Sequence, residues 1–408
     1  MNILFFTIIA ILVLQFLVET ILDYFNAQHY GDPIPEALED VFDAGEYQKS
    51  QEYQKTNYRF GFVSSLFSIV LTLGFLLLGG FEWADQLARS FSSNDIVITL
   101  IFFGILTIGS DILTTPFSYY QTFVIEERFG FNKSTIKLFF IDKLKGWLMM
   151  AILGGGVITL AMWFYKWAGP NFWLHVWGLV TVIIVFMNLF YSKLIVPLFN
   201  KQTPLEEGSL KSKIENYANK VGFELKNIFV IDGSKRSTKA NAYFSGFGKE
   251  KRVTLYDTLI KDLDEEEIVA VLAHEVGHYK RKHIIFNLTA SVLVLGFTLF
   301  ILSLFINNPE VSKAIGVSQP SFHAALIGFG ILYSPISELT SLVMNFLSRK
   351  FEYQADDYAK DTFAAEPLIT SLKKLSKNSL SNLTPHHAYV FMHYSHPPLI
   401  QRIKNLLV

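Results

Sequence analysis

Long apolar stretches recur along the chain and alternate with shorter polar connections. A helix needs about 20 mostly apolar residues to cross the hydrocarbon core of a bilayer. Stretches of this kind occupy seven positions: 3–22, 60–81, 96–119, 147–165, 172–199, 284–306 and 322–347. The pattern predicts an all-α polytopic membrane protein with seven transmembrane helices. No basic residue precedes the first stretch and no small-residue cleavage site follows it, so we expect a retained helix and not a signal peptide.

The basic residues in the connections predict the orientation, because short loops rich in Lys and Arg stay on the cytoplasmic side. The loops 26–59 and 120–146 hold three and five such residues, and 200–283 and the tail after 348 hold many. The intervening loops hold one each: 82–95, 166–171 and 307–321. We therefore expect the N-terminus outside or in a lumen and both long polar segments on the cytoplasmic face. A bacterial inner membrane and an endoplasmic reticulum membrane both fit this arrangement.

The chain divides into four parts by this pattern. Residues 1–200 hold five spans, 201–283 form a cytoplasmic segment, 284–348 hold the last two spans and 349–408 form a tail. The cytoplasmic segment has helical periodicity over 206–221, a turn at 232–234 and strand-like runs at Asn227–Ile231 and Arg252–Tyr256. We predict a small α+β domain there.

Composition supports a membrane protein and limits the possible chemistry. Of 408 residues, 51% are hydrophobic, 15% aromatic and 17% charged, and the mean hydropathy is positive. The formal net charge of −1 gives no reason to expect a nucleic-acid partner. Because the chain has no cysteine, disulfides, thiolate catalysis and cysteine-ligated metal sites are excluded. A metal site here must use histidine and carboxylate ligands.

The sequence His274-Glu275-Val276-Gly277-His278 predicts such a site. Histidines four residues apart lie on the same side of a helix, so both rings can bind one ion, and Glu275 can reach a water on that ion. Asp264 and the three glutamates after it form an N-cap and an acidic first turn, which supports a helix at this position. The pattern indicates hydrolysis assisted by one zinc ion per chain.

A hydrolytic zinc ion needs a third protein ligand, and the best candidate is Glu352 beyond the last span. Asp356 lies on the same helix face and can orient a histidine ring, although a solvated acidic face is the plainer interpretation. A donor for the developing oxyanion can come from the tail. His396 is favoured because Pro397 and Pro398 follow it, but spacing alone does not separate it from His393.

Ionisable residues within the predicted spans have two interpretations. Glu19, Asp111 and Glu338 either face a wet interior cavity or form hydrogen bonds between helices. The sequence does not decide between the two.

Several motifs together resemble CaaX prenyl protease 1, a family of integral-membrane zinc endopeptidases that trim prenylated C-termini. Besides the zinc motif, the resemblance is carried by six segments over nearly the whole chain: 47–53 (YQKSQEY), 125–133 (IEERFGFNK), 232–237 (DGSKRS), 241–244 (NAYF), 352–356 (EYQAD) and 394–398 (YSHPP). Phe129 departs from the family pattern, in which many members have histidine. The C-terminus also lacks a di-lysine retrieval signal.

The resemblance implies a bundle of seven helices around a large water-filled chamber, with the zinc site at its cytoplasmic end. It implies that His274, His278 and Glu352 are ligands and that Glu275 is the general base. Asn241 and Tyr243 would form an edge strand that pairs with the substrate, and His396 and Arg402 would face the substrate near the metal. From its local sequence alone, Asn241 is only a turn residue.

The resemblance further implies a peptide or protein substrate that carries a lipid, within a lipid membrane and without a required oligomer. Two other functions remain open at this stage. A quality-control protease for unprenylated membrane proteins uses the same chemistry, but such relatives are shorter and have fewer spans. A transporter or zinc-binding scaffold needs the ligands but not the base, so Glu275 favours catalysis.

Overall fold

The structure is a computed structural model that describes residues 2–225, 227–245 and 251–408. Its helices in chain order are α1 (Ile3–Gln28), α2 (Ala44–Leu77), α3 (Gly80–Phe91), α4 (Asp95–Tyr120), α5 (Ile136–Met149), α6 (Gly155–Ala168), α7 (Phe172–Leu194), α8 (Val196–Phe199), α9 (Ser209–Lys220), α10 (Asp257–Asp262), α11 (Glu265–Lys280), α12 (His283–Phe305), α13 (Pro309–Lys313), α14 (Phe322–Thr362), α15 (Ala365–Asn378), α16 (His387–His393) and α17 (Leu399–Leu407). The strands are β1 (Gln202–Pro204), β2 (Asn227–Ile231), β3 (Ala242–Ser245) and β4 (Arg252–Tyr256). Two π-helical segments, Gln121–Glu126 and Met150–Gly154, extend α4 and join α5 to α6.

The predicted spans all lie in long helices. Among the described residues, six helical stretches are long and apolar enough to cross a membrane: Ile3–Gln28, Ala44–Leu77, Asp95–Glu126, Ile136–Phe199, His283–Phe305 and Phe322–Thr362. The stretch Ile136–Phe199 holds two of the predicted spans, because the chain turns at Gly169 (φ 56°) and α6 packs against α7. The all-α polytopic fold class is therefore confirmed.

Most of the helices extend beyond the apolar stretches that predicted them. A capping box between Asp43 and Glu46 starts α2 well before residue 60, and α14 continues past residue 347 to Thr362. The predicted limits were too short because an apolar stretch marks the membrane, whereas backbone hydrogen bonding continues into the aqueous part. The proposed division between residues 348 and 349 consequently falls inside α14 and stays a prediction.

Seven long helices among the described residues form a closed ring. Helix α1 packs between α2 and α14, α12 packs between α14 and α7, and α6 packs between α7 and α4. Phe60 and Phe67 of α2 contact Phe117 of α4, with ring centroids 6.2 and 4.7 Å apart. These aromatic contacts close the ring.

One end of the ring is filled by side chains. The start of α1, the end of α2, α3, the start of α4 and the segment from α13 into α14 share a buried apolar cluster: Phe5, Ile8, Leu76, Phe81, Ala84, Ala88, Ile98, Phe102, Ala314, Ile315, Val317 and Ala324. A buried hydrogen bond between His323 Nε2 of α14 and Asp85 Oδ1 of α3, 2.6 Å apart, lies at the same end. A second buried cluster lies beside the first. In it the end of α6, the start of α7 and the end of α12 pack against α14.

The middle of the ring is not filled in this way. In the 18-residue apolar segment of each candidate span, only 6% to 17% of the residues are buried. A solid bundle would bury an apolar stripe along the inward face of every helix. The ring therefore encloses a chamber, as the family resemblance implied.

A small α+β domain covers the opposite end of the ring. Its described strands pair in the order β1-β2-β4-β3, with β2 and β4 parallel and the other pairs antiparallel. One face of the sheet packs on α11 through a buried core that includes Val253, Leu255, Ile268 and Leu272. The predicted bounds of β2 and β4 are confirmed, whereas β1 was not predicted and β3 was expected only from the resemblance.

The ionisable residues in the spans form contacts between segments. Lys143 Nζ lies 2.8 Å from Asp111 Oδ1, Gln15 Nε2 donates to Glu338 Oε1 at 2.5 Å, and His393 Nε2 lies 3.2 Å from Glu19 Oε2. Glu19 and Glu338 are nevertheless exposed. All three carboxylates therefore have polar partners on other segments, which fits the interpretation as hydrogen bonds between helices.

Phe129 belongs to a buried aromatic cluster. It is 4% exposed, and its ring lies 5.0 Å from the ring of Tyr53 in α2. Phe131 contacts the same tyrosine at 5.2 Å. Phe129 therefore helps to pack the loop after α4 against α2.

Candidate active site

Helix α11 positions the two histidines of the motif. Asp264 and Glu267 form the capping box that starts the helix, and Lys374 of α15 lies 2.9 and 2.8 Å from their carboxylates. Most of the helix is buried, including Ile268, Leu272 and Val276. The predicted N-cap and helix are confirmed, and the helix is held on several sides.

A close crossing of α11 and α14 brings the third predicted ligand to the histidines. A Cβ atom on Gly277 would lie 3.0 Å from Ala355 Cα and 3.1 Å from Ala355 O. Only glycine permits this approach without displacing backbone. Glu352, one turn before Ala355 in α14, is thereby placed opposite His274 and His278.

Three side chains converge at this crossing on one point. His278 Nε2 lies 3.1 Å from His274 Nε2 and 3.3 Å from Glu352 Oε1, and His274 Nε2 lies 3.5 Å from Glu352 Oε2. Glu352 is 3% exposed, and its Oε2 atom has no hydrogen-bond partner among the described residues. The two oxygens of this buried carboxylate each face one imidazole nitrogen, and Arg402 Nη1 lies 3.5 Å from Oε2. A buried carboxylate beside two imidazole nitrogens can hold a metal ion.

Asp356 and Arg402 orient the ring of His274 through contacts at its Nδ1 atom. Asp356 Oδ1 lies 2.8 Å from His274 Nδ1, so this nitrogen donates to the carboxylate and Nε2 keeps its lone pair for the metal. Arg402 holds Asp356 in turn, through Nη2 at 2.6 Å and Nε at 2.9 Å. Burial opposes a charge on His274, but the hydrogen bonds to Asp356 and Glu352 outweigh it and raise its pKa to about 9. A metal must therefore displace a proton from this histidine below that pH.

His278 is held by a pair of residues that the sequence analysis missed. His283 Nδ1 lies 3.1 Å from His278 Nδ1, and His283 Nε2 lies 2.8 Å from Gln354 Oε1. If Gln354 accepts from His283, then His283 accepts from His278 Nδ1–H, and His278 Nε2 is again free to bind a metal. Lys282, with φ of 63°, breaks the helix and turns His283 back toward the motif.

Asp356→Asn should weaken metal binding without unfolding the protein. The amide keeps the shape of the side chain but loses the charge that orients His274, so we expect a loss of about 10- to 100-fold in metal affinity. Titration against a competing chelator measures this change. Asp361→Asn, an exposed change in the same helix, is the matched control. Unchanged affinity in Asp356→Asn would show that the carboxylate does not support the ligand.

Glu275 lies on the wall of a cleft beside the three converging side chains. The cleft has a volume of about 520 Å³ and also contains the exposed Asn241 at the start of β3. Leu368, Leu372 and Leu375 of α15 contribute to the apolar part of its wall, which was not predicted from the sequence. Glu275 can therefore reach a water or substrate atom in the cleft.

The structure places the two candidate histidines of the tail, His393 and His396, in different surroundings. His396 Nε2 lies 3.3 Å from Glu352 Oε1, and its side chain is 64% exposed in the cleft. His393 instead lies against Glu19 of α1. Arg402 also lines the cleft, and it donates two hydrogen bonds to Asp356.

Strand β3 forms another wall of the cleft. Among the described strands it lies at the edge of the sheet and pairs with β4 on one side. Asn241 just precedes it, and the carbonyl oxygen of Asn241 accepts from Tyr256 N–H at 3.0 Å. Tyr243 lines the cleft, and its hydroxyl has no hydrogen-bond partner among the described residues. The other edge of β3 therefore has no paired strand among the described residues.

Comparisons with known proteins agree with this architecture along the whole chain. Residues 23–201 match the family described as "CAAX prenyl protease N-terminal, five membrane helices", and residues 204–407 match "Peptidase family M48". A CAAX prenyl protease 1 homolog of Arabidopsis thaliana is 36% identical over 98% of this chain and 96% of its own length. CAAX prenyl protease 1 of Saccharomyces cerevisiae is 34% identical over 96% of this chain and 92% of its own length.

A solved structure shows the same fold. The crystal structure of S. mikatae Ste24p superposes with a TM-score of 0.94 at 32% sequence identity and covers 100% of this chain and 99% of that one. Both halves of the chain, the helix ring and the domain with the converging histidines, thus have counterparts in one group of proteins. The chain belongs to the CAAX prenyl protease 1 family and is an integral-membrane metallopeptidase.

Proposed function

We propose that this protein is a zinc endopeptidase that hydrolyses a peptide bond near the C-terminus of prenylated, CAAX-type proteins. One observation carries the proposal. His274, His278 and Glu352 converge beside Glu275 in a cleft at the end of the helix ring that the α+β domain covers. The names of the relatives supply the substrate class.

The spacing of the candidate ligand atoms on His274, His278 and Glu352 is compatible with zinc. Zinc binds imidazole nitrogen and carboxylate oxygen at roughly 2.0–2.2 Å with tetrahedral geometry, which separates neighbouring ligand atoms by roughly 3.3–3.6 Å. The two imidazole nitrogens lie 3.1 Å apart, Glu352 Oε1 lies 3.3 Å from His278 Nε2, and Glu352 Oε2 lies 3.5 Å from His274 Nε2. One ligand atom from each residue lies within 4.8 Å of the other two. Two histidines and one glutamate leave the fourth position open, as in catalytic zinc sites. We propose one zinc ion per chain.

Glu275 acts as the general base in this proposal. When bound, zinc supplies a polarised water and Lewis acidity toward the scissile carbonyl. Glu275 accepts a proton from the attacking water and passes it to the leaving amine. Its place on the cleft wall, adjacent in sequence to His274, supports this role.

His396 is the proposed donor to the developing oxyanion. Its exposed ring lies at the edge of the site, and its contact with Glu352 Oε1 at 3.3 Å places Nε2 near the reaction centre. Arg402, which holds Asp356, contributes positive charge on the same side of the cleft. We propose that both residues face the bound substrate.

The substrate binds as an added strand on β3 in this proposal. Main-chain hydrogen bonds to an edge strand give affinity with little demand on sequence, and side-chain pockets add selectivity. Asn241 and Tyr243 would therefore contact the substrate backbone on either side of the scissile bond.

The membrane setting favours a substrate that carries a lipid. Burial of a prenyl chain contributes about 0.8 kcal/mol per methylene, so a lipid anchor brings the peptide to the surface where the cleft opens. From the distribution of Lys and Arg we propose that the cleft faces the cytoplasm, in a bacterial inner membrane or an endoplasmic reticulum membrane.

The test compares a farnesylated CAAX peptide with the same peptide unmodified. We expect purified protein to cleave the farnesylated peptide with a kcat/KM at least about tenfold higher, because the lipid contributes binding energy that the bare peptide lacks. Chromatography with mass spectrometry gives both rates and the bond cleaved. Equal rates would support a quality-control protease for unprenylated substrates instead.

A further inference from the structure

A second cavity lies beside the active-site cleft, between the sheet and the membrane helices. Its volume is about 470 Å³, within the roughly 300–1,000 Å³ range of sites that bury small ligands. Residues of α7, β3, β4 and the start of α12 line it: Met187, Asn188, Tyr191, Tyr243, Phe244, Ser245, Tyr256 and Ile284.

The two cavities share part of their walls. Tyr243, Phe244 and Ile284 line both of them. Strand β3 runs from the cleft at Asn241 to the second cavity at Ser245, so the same strand borders both. A substrate paired with this strand has one continuous path from the reaction centre into the cavity.

The walls of the second cavity suit an apolar chain with a polar end. Aromatic rings and aliphatic side chains form most of its surface, and Tyr243 packs edge to face on Tyr256 with centroids 6.5 Å apart. Tyr243 Oη and Ser245 Oγ are buried without a hydrogen-bond partner among the described residues. An occupant with a peptide group near β3 could form hydrogen bonds with these two hydroxyls, and its apolar chain toward α7 would contact the apolar walls.

The position of the cavity relative to the membrane supports the same occupant. Met187 and Tyr191 lie near the end of α7, and Ile284 lies near the start of α12, where two spans meet the α+β domain. A lipid chain attached to a peptide in the cleft has to leave the polar site at this level to stay out of water.

The direction of β3 is consistent with this placement. Antiparallel pairing, the more stable arrangement, puts the part of the substrate on the N-terminal side of the scissile bond toward Ser245. A modified cysteine that precedes the cleaved bond would then project from the substrate strand beside the second cavity.

We propose that this cavity receives the isoprenoid chain of the substrate and measures its length. The inference rests on the proposed function and adds to it a specific subsite, formed by α7, the end of β3 and the start of α12. The ligand is a farnesyl or similar isoprenoid group attached through cysteine to an extended peptide.

The first experiment measures how cleavage depends on chain length in the full-length protein. Peptides of one sequence carry dimethylallyl, farnesyl or geranylgeranyl on the cysteine. Met187→Trp fills the cavity, so we expect it to raise KM for the farnesyl peptide about tenfold and KM for the dimethylallyl peptide much less, because the shorter chain occupies less of the cavity. Tyr191→Ala enlarges the cavity, and we expect it to shift the preference toward geranylgeranyl.

The matched control fills a different apolar cavity of similar size. Ala151→Trp occupies a cavity of about 450 Å³ between α4 and the Met150–Gly154 segment, remote from β3 in its lining. We expect it to leave the chain-length profile unchanged. A profile altered by Ala151→Trp, or a uniform loss for all peptides in both α7 variants, would overturn the proposal.

A second measurement does not depend on the cavity variants folding well. A farnesyl analogue with a terminal photoreactive diazirine, on a peptide bound to Glu275→Gln protein, should label the tryptic peptide 167–193, at or near Met187 and Tyr191. Labelling of the Met150–Gly154 segment instead would contradict the assignment. If the wild-type protein shows no preference for farnesyl at all, the proposed function fails, whereas a preference that survives in the α7 variants refutes this cavity alone.

Discussion

Glu275→Gln is expected to lower kcat for a farnesylated peptide by about 10²–10⁴-fold while the protein keeps its metal. The amide has the size of the carboxylate but cannot accept the proton of the attacking water. Because the proposed ligands are the neighbouring His274, His278 and Glu352, their positions do not depend on this charge. Single-turnover cleavage assays and metal analysis of the same preparation measure the two quantities separately.

The control for this variant is Glu266→Gln in the first turn of the same helix. Glu266 pairs with Lys213 at 2.8 Å, on the exposed side of α11. We expect wild-type kcat in the control, because exposed ion pairs contribute little to stability. Glu275→Gln protein that retains metal and cleaves at the wild-type rate would exclude Glu275 as the base.

Loss of one ligand is expected to empty the metal site. Glu352→Gln and His278→Ala should each reduce bound zinc from one per chain to near zero after dialysis and abolish cleavage. The reason is the geometry: two ligands lie on α11 and the third on α14, so removal of either side leaves too few ligands to hold the ion. Glu352→Gln is the sharper variant, since the amide fits the same buried space.

Glu366→Gln serves as the matched control for the ligand variants. Glu366 is an exposed glutamate in the first turn of α15, close in sequence to the site but not among the cleft-lining residues. Its zinc content and activity should equal those of the wild type. Full zinc occupancy in Glu352→Gln would place the third ligand elsewhere.

Local sequence predicted the metal helix and its partners well. The spacing of His274 and His278 and the acidic first turn placed both rings on one face of α11, as the structure has them. Counting basic residues placed the motif segment and the tail on the same side, and α11, α14 and α17 do pack together. The contact of Asp356 with His274 also follows the predicted geometry.

Contacts that depend on chain breaks and helix crossings could not be predicted in this way. His283 reaches His278 only because Lys282 adopts a left-handed conformation, which nothing in the local sequence signals. The crossing at Gly277 and Ala355 depends on the packing of two helices that are distant in sequence. Each of these features belongs to tertiary structure.

The elements that form the wall of the cleft could not be predicted from local sequence either. Strand β3 is short and follows an ordinary turn sequence, so its position at the sheet edge emerges only from pairing with β4. The leucines of α15 pack against the core of the α+β domain and also line the cleft, and an amphipathic pattern alone does not predict the second contact. Residues at the site were therefore easier to identify than the surfaces that shape it.

The most direct test of the metal centre is zinc X-ray absorption spectroscopy on the purified protein. The arrangement of His274, His278 and Glu352 predicts one zinc ion with two imidazole nitrogens and oxygen ligands at roughly 2.0–2.2 Å. Glu352→Gln should remove that signal. A wild-type spectrum with three or more imidazoles, or protein that cleaves its substrate without a bound metal, would contradict the proposed site.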